Sequence, residues 1–509
     1  MRAALSLSIV VLAGALAGCT SEPPPKVAER VPLPVPLPLP PPPDPLGPRP
    51  IPAAAPSYIP PKPVVFTTKN GLTVWLLERH TLPYVALAVT VPTGSSSDPK
   101  GVGGLASIAA DMLDEGAGTR GAIELSRAID ALGASLETTA TSDESRVSLT
   151  VLKKNLTPAF GLFADVVARP RFDANEWARV KDIEVNEIAE RQSDPEQVAG
   201  VVQRAVLFGE AHPYGHPVDG TLASAKRWTL ADAQHFYKTA WRPDRAVLVA
   251  VGDVTQAEVT LLVESKAGLQ GWVAPKTPLP SPLAPLAPVG PWPKLVLVDR
   301  PDAPQSVISV VRPGVAAGDP TAPVVVRANV ALGPLFTSRL NQDLREEHGY
   351  TYGASSRVGV TRGVGSFVAS AAVATDKTTD ALKAMLGDID FYARNGLTDA
   401  EVDKTRSQSR AEVVETFEGV DRAAAQLAHD AALVLGPDYQ QRAASQKDQA
   451  NKPELDGLAK LHFDPKNATV IVVGPRATLE GPLHALGYAD IQLRDAEGNV
   501  LLPAQKPKK

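Results

Sequence analysis

The stretch Arg242-Pro243-Asp244-Arg245-Ala246-Val247-Leu248-Val249-Ala250-Val251-Gly252 has a counterpart 222 residues on, Asp464-Pro465-Lys466-Asn467-Ala468-Thr469-Val470-Ile471-Val472-Val473-Gly474. Each is a polar turn running into an apolar strand that ends on glycine. The pairing continues outward. Leu72-Thr73-Val74-Trp75-Leu76-Leu77 and Leu295-Val296-Leu297-Val298 open two halves with a strand, and a second apolar strand follows each, at 85–91 and 306–311. An offset held over whole modules is the mark of an internal duplication. Between the halves, residues 275–293 hold 8 prolines in 19 positions, a linker composition.

Inside the first half, helical spacing of apolar residues predicts helices over 101–115, 122–132, 156–167, 174–192 and 230–239. Residues 145–152 alternate, with Val147, Leu149 and Val151 on one face, and read as a strand. Helical runs beside hairpin-like strands favour α+β over a doubly wound parallel sheet. The expected fold is two homologous α+β modules in tandem, each a mixed sheet with helices on one face, clam-like around a cavity. No glycine-rich phosphate loop stands at a strand–helix junction, and Gly363-Val364-Gly365 reads as a turn between strands.

The N-terminus is a separate signal. Arg2 precedes an apolar stretch over 3–17 that ends in Leu16-Ala17-Gly18-Cys19. The stretch is too short for a stable membrane span. It looks like a bacterial lipobox, which implies acylation of Cys19 and anchoring through lipid. Cys19 is the sole cysteine, so internal disulfides are excluded. No Asp follows Cys19, which by analogy favours the periplasmic face of the outer membrane. Residues 23–63 carry 19 prolines in 41 positions, a polyproline tether of roughly 130 Å when extended. It is either a stalk or a docking site for a proline-binding partner. The division is thus signal peptide 1–19, tether 20–63, first module 64–272, linker 273–293 and second module 294–505.

With 509 residues the chain supports roughly two to four folded units. A net charge of -5, with no basic stripe, excludes nucleic acid as an obvious partner. Lys506, Lys508 and Lys509 read as a solvated terminus.

Residues 104–113, Gly-Leu-Ala-Ser-Ile-Ala-Ala-Asp-Met-Leu, resemble the zinc helix of the insulinase/pitrilysin metallopeptidase family, including its mitochondrial-processing-peptidase branch. There the family shows G-L-A-H-x-x-E-H-M-L. Two histidines four apart on one helix face hold zinc, and the glutamate activates the metal-bound water. Here those positions are Ser107, Ala110 and Asp111. By the resemblance, Glu187, followed by Asp194-Pro195, stands at the family's third ligand. As a residue it also reads as a solvated helix-face glutamate. A hard cation held by Asp111 and Glu187 would need more carboxylates, with Asp114 and Glu115 the nearby candidates. His212 and His216 lie in a Pro/Gly-rich segment that also matches the family and read as loop-shaping residues.

The stretch 338–352, Ser-Arg-Leu-Asn-Gln-Asp-Leu-Arg-Glu-Glu-His-Gly-Tyr-Thr-Tyr, fills every fixed position of the family block S-R-L-x-x-x-L-R-x-x-x-G-x-x-Y. The resemblance implies that Arg345 and Tyr352 contact the substrate backbone and the tetrahedral oxyanion, a task suited to a guanidinium and a phenol. The alternative is that both pack a helix–strand junction. Family members exist in which one chain carries the zinc motif and a partner carries the Arg/Tyr pair, and this sequence has the second pattern. The resemblance therefore implies a non-catalytic subunit of a heteromeric zinc peptidase. This chain would bind no cofactor, zinc would sit in a homologous partner subunit, and a peptide would be the substrate. A peptide-binding or scaffold protein without proteolytic role, as in the respiratory-complex members of the family, is the alternative.

Overall fold

The computed structural model describes residues 58–209, 211–279 and 290–501. The signal segment, Cys19, nearly all of the tether and part of the linker lie outside the described residues.

The first module contributes strands β1 (Val64–Thr67), β2 (Thr73–Glu78), β3 (Tyr84–Val91), β4 (Ser135–Ala140), β5 (Ser145–Leu152) and β6 (Val247–Gly252). They form one sheet in the order β1-β2-β6-β3-β5-β4. The second contributes β7 (Leu295–Asp299), β8 (Gln305–Pro313), β9 (Thr351–Gly359), β10 (Ser366–Ala374), β11 (Thr469–Gly474) and β12 (Ile491–Arg494), in the order β9-β10-β8-β11-β7-β12. Five strands correspond one to one. The strand that opens each half, β2 or β7, runs parallel to the one that closes it, β6 or β11. The rest of the shared core is antiparallel. The modules differ at one edge: antiparallel β1 flanks β2 in the first, while parallel β12 flanks β7 in the second.

The principal helices repeat in the same way. In the first module they are α1 (Leu105–Asp111), α2 (Leu156–Ala168), α3 (Ala174–Arg191), α4 (Pro195–Phe208) and α5 (Leu230–Ala240). In the second they are α6 (Ala322–Leu332), α7 (Thr378–Asn395), α8 (Asp399–Glu418), α9 (Val420–Ala432) and α10 (Lys452–Phe463). The expected helix over 101–115 is shorter, because Asp98 fixes its start. The Asp98 carboxylate accepts the N–H groups of Gly104, Leu105 and Ala106 at 2.7, 3.1 and 2.9 Å, serving the orphan donors of the first turn. Helix α4 begins where Asp194 accepts from Glu196 and Gln197 with Pro195 at the first helical position.

Alternation decides what each strand buries. Along β3, Val85, Leu87, Val89 and Val91 face the module's own helices, against Ile108, Met112, Phe160 and Phe163. Ala86 and Ala88 point the other way, together with Trp75, Leu77, Val249 and Val251. That second face is covered by the second module: Val413 and Phe417 of α8 and Ala424, Leu427 and Ala428 of α9 pack on it. The reciprocal contact exists. Val198, Val202 and Val206 of α4 cover Val296, Val298, Val307, Val311, Ile471 and Val473 of the second sheet. The central strands are thus apolar on both faces, which is why 247–251 and 470–473 read as unbroken apolar runs. Each fully buried aliphatic in this exchange stabilises the fold by about 1.5–3 kcal/mol.

Candidate functional site

Helix α1 is held in place by features that explain its flanking sequence. Gly104 has φ +93°, and a Cβ there would lie 2.4 Å from the Trp228 ring, so only glycine fits. The Trp228 indole N–H donates to the Gly103 carbonyl at 3.0 Å. Burial pushes the Asp98 carboxyl up to about 8, against three N–H donors that favour its ionised form.

At the C-terminal end of α1, Asp111 meets α3. Burial, reinforced by Glu184, Asp114, Glu187 and Glu115, pushes Asp111 up to about 8. Burial, then Glu187 and Asp219, pushes Glu184 up to about 7, while its contact with Asp111 works to lower it. Arginines serve the periphery only: Arg179 pairs with Glu115 and Glu176, and Arg191 pairs with Asp219. Glu187 therefore belongs to an acidic group on the α1–α3 face. Glu184, one helical turn before it, is the member sequence reading missed; its place three residues from Glu187 was the available signal.

The donor set does not fit zinc. Ser107 offers a neutral hydroxyl, Ala110 a methyl group, and the remaining groups are carboxyls, with neither imidazole nor thiolate. Among the described residues no group of three or more His, Cys, Asp or Glu has metal-binding geometry. His212 is buried, stacks on Phe208 at 5.1 Å and accepts the Tyr214 N–H at 3.1 Å. His216 lies 2.9 Å from the Pro217 carbonyl. Both shape their loop.

Arg345 sits on a π-helical turn, Gln342–Glu347, with its guanidinium 4.1 Å from the Phe336 ring centroid and 3.5 Å from Glu346. Tyr352 stands at the start of β9, where the register with β10 shifts between Thr351 and Ala354. Such a bulge re-aims a side chain, and Tyr352 is 89% exposed, so its ring packs no junction. Neither residue touches the Asp111 group.

Between the modules lie two adjoining cavities, open to solvent, of about 780 and 700 Å³. Their walls come from α4, β9 and the loops at 140–143, 217–219 and 359–366. Two buried carboxylates tie the modules beside them. Asp143 accepts the Tyr214 hydroxyl at 2.7 Å, the Arg362 N–H at 2.9 Å and the Arg362 guanidinium at 3.3 Å. Glu144 meets Thr90, Arg146 and His429 at 3.0, 3.1 and 3.2 Å. Burial works to raise Glu144, yet the His429 hydrogen bond and the Arg146 charge hold it below the usual range. His429 is raised by the same contact.

Known proteins resemble this chain in sequence and in architecture. The sequence pattern of "Insulinase (Peptidase family M16)" matches residues 73–209, and that of "Peptidase M16 inactive domain" matches 227–409. An uncharacterized zinc protease of Mycobacterium tuberculosis is 30% identical over 350 residues, 68% of this chain and 78% of that protein. One of Bacillus subtilis is 21% identical over 410 residues, 80% of this chain and 97% of that protein. The crystal structure of a peptidase M16 inactive domain from Pseudomonas fluorescens is similar at TM-score 0.75 and 24% identity, covering 81% of this chain and 98% of that one. A protease from Helicobacter pylori is similar at TM-score 0.74 and 18% identity, covering 82% and 100%.

Proposed function

Because this chain belongs to peptidase family M16 (insulinase), we propose that it is a non-catalytic subunit of a heteromeric zinc metallopeptidase of the bacterial envelope. The observation that carries this reading is that Ser107, Ala110 and Asp111 stand on α1 where the family presents two imidazoles and a general base. That set lacks the nitrogen ligands that zinc favours. It also leaves nothing at position 110 to activate water. Zinc is assigned to a homologous partner subunit.

What this chain supplies is Arg345 and Tyr352. The exposed Tyr352 phenol is free to donate to an oxygen on another molecule. The Arg345 guanidinium is held over Phe336 with 35% of its side chain open to solvent. Anchoring through Cys19 and the proline-rich tether would hold the pair of subunits at the periplasmic face of the outer membrane.

The test mixes the purified chain with a zinc-carrying homologue from the same envelope. Alone, the chain hydrolyses no peptide; with the partner, turnover rises. Arg345→Ala and Tyr352→Phe each lower that turnover by about 10²–10³-fold while the complex still co-elutes. Hydrolysis by the isolated chain overturns the reading. Cys19→Ala abolishes incorporation of labelled fatty acid, and incorporation by that variant would end the anchoring assignment.

A further inference from the structure

The larger cavity between the modules holds positive charge that its own walls do not balance. Arg204 of α4 and Arg357 of β9 both line it. Its other charged groups are committed: Asp143 to Arg362 and Tyr214, Asp219 to Arg191, and His429 to Glu144. Among the described residues neither Arg204 nor Arg357 forms an ion pair. The Arg204 guanidinium makes one hydrogen bond, to the Ser142 hydroxyl at 3.3 Å. Burial and the Arg357 charge press Arg204 below its usual range, and the Asp219 carboxylate, already paired with Arg191, offsets this only in part. A guanidinium with five donors, mostly unmet, that lines about 780 Å³ of space together with a second guanidinium is a cradle for an anion.

The neighbouring strand says which kind. β9 is the edge strand of its sheet, with no strand on its outer side among the described residues. Gly353, Ser355 and Arg357 are exposed and alternate along it, so they share one face, and all three line the second cavity. A free edge pairs readily with an extended peptide backbone, and alternate side chains then reach the same wall. Glu196 on the far side of that cavity is exposed and lies beyond ion-pair distance of Arg357, so it does not neutralise the site.

We propose that the chamber between the modules binds extended acidic peptide segments, with side-chain carboxylates seated between Arg204 and Arg357. This rests on the peptide-handling function proposed above and names the substrate class it would favour.

The full mature chain is titrated with a labelled Glu-rich octapeptide, its Gln-for-Glu counterpart and inorganic phosphate. The acidic peptide binds at least tenfold more tightly than the neutral one, and its affinity falls with added salt. Arg357→Gln, at an exposed position, removes most of that preference without lowering the melting temperature. Arg204→Gln does the same, and Arg357→Lys restores part of it. Equal binding of the two peptides, or an unchanged preference in Arg204→Gln/Arg357→Gln, overturns the proposal. Full displacement of the acidic peptide by millimolar phosphate also overturns it, since the site is then a phosphate site. Stimulation of the zinc-carrying homologue is measured on the same samples. Stimulation without acidic preference sinks this inference alone. Acidic preference without stimulation sinks the subunit reading and leaves the site.

Discussion

The α1–α3 junction of the first module and the α6–α8 junction of the second occupy the same place in the repeat and are charged in opposite ways. In the first, Asp111 and Glu184 are crowded together with Glu187, and burial with this like charge raises both carboxyls. In the second, Arg327 is fully buried and its donors are met by uncharged groups. Nε reaches the Thr405 hydroxyl at 3.2 Å, Nη2 the Val402 carbonyl at 2.9 Å, and Nη1 the carbonyls of Ala450, at 3.0 Å, and Lys447. A buried cation surrounded by acceptors is a closed arrangement that pins three helices. A group of carboxyls without a cation is an open one, whose charged forms burial disfavours. The duplicated scaffold tolerates either, so the junction is a place where the sequence is free to install chemistry or mere packing.

The sharpest way to break this comparison is to restore what the first junction lacks. Ser107→His/Ala110→Glu/Asp111→His places two imidazoles four residues apart on α1, within reach of Glu187. The variant should bind one zinc per chain by elemental analysis where the parent binds none. A zinc-free variant that is folded would mean the junction is not built to the metal's geometry.

Next in size is Arg327→Ala. It strands four acceptors and leaves a cavity, and it should lower unfolding free energy by about 3 kcal/mol, read as a shifted urea midpoint. A midpoint that stays put would show that Arg327 is not the pin of its junction.

A smaller effect separates the junctions by pH. Asp111 is raised from 3.8 to about 8, so its contribution is fully present below about pH 4 and is lost as pH rises through about 8. Asp111→Asn should flatten that decline and stabilise the protein at pH 8 by on the order of 2 kcal/mol. Melting curves across pH test it, and an unaltered slope would show that the carboxyl is not protonated in the folded state.

The smallest effect lies between the modules. His429 is raised and Glu144 lowered by their contact. The His429 share is complete below its usual 6.5 and fades as pH climbs through the raised value; the Glu144 share is complete above its usual 4.5 and fades as pH falls. The latch is firmest between those limits, and His429→Ala should lower stability there by about 1 kcal/mol, with less effect at pH 9. Equal loss at both pH values would make the contact mere packing.

The duplication was legible because strands buried on both faces leave unbroken apolar runs, and the loops before β6 and β11 carry matching turn residues. The frame of α1 was legible because Gly104 and Leu105 have packing duties that outlast the metal ligands. What covers the second face of each sheet was not. Val198, Val202 and Val206 mark an apolar helix face, yet nothing in their spacing says that it belongs to a sheet that begins only at Leu295 and ends past Val473. Arg327 was equally silent, since its partners are carbonyl oxygens that every residue carries. Asp98 was missed because it caps from outside the helix, six residues before Gly104. Arg204 and Arg357 stand out only once folding brings α4 beside β9.

The exchange of α4 and α9 also sets an order in time. The first sheet cannot close its second face until residues 413–428 are present, and the second sheet needs β11, which ends at Gly474, before α4 has a complete surface to cover. Contacts so distant along the chain form late and slowly. A chain released from its first half alone would expose Trp75, Leu77, Val249 and Val251 on one side and the valines of α4 on another. Each half builds a core of its own on one face of its sheet, but neither completes the other face by itself, and that part of the structure waits until nearly the whole length is available.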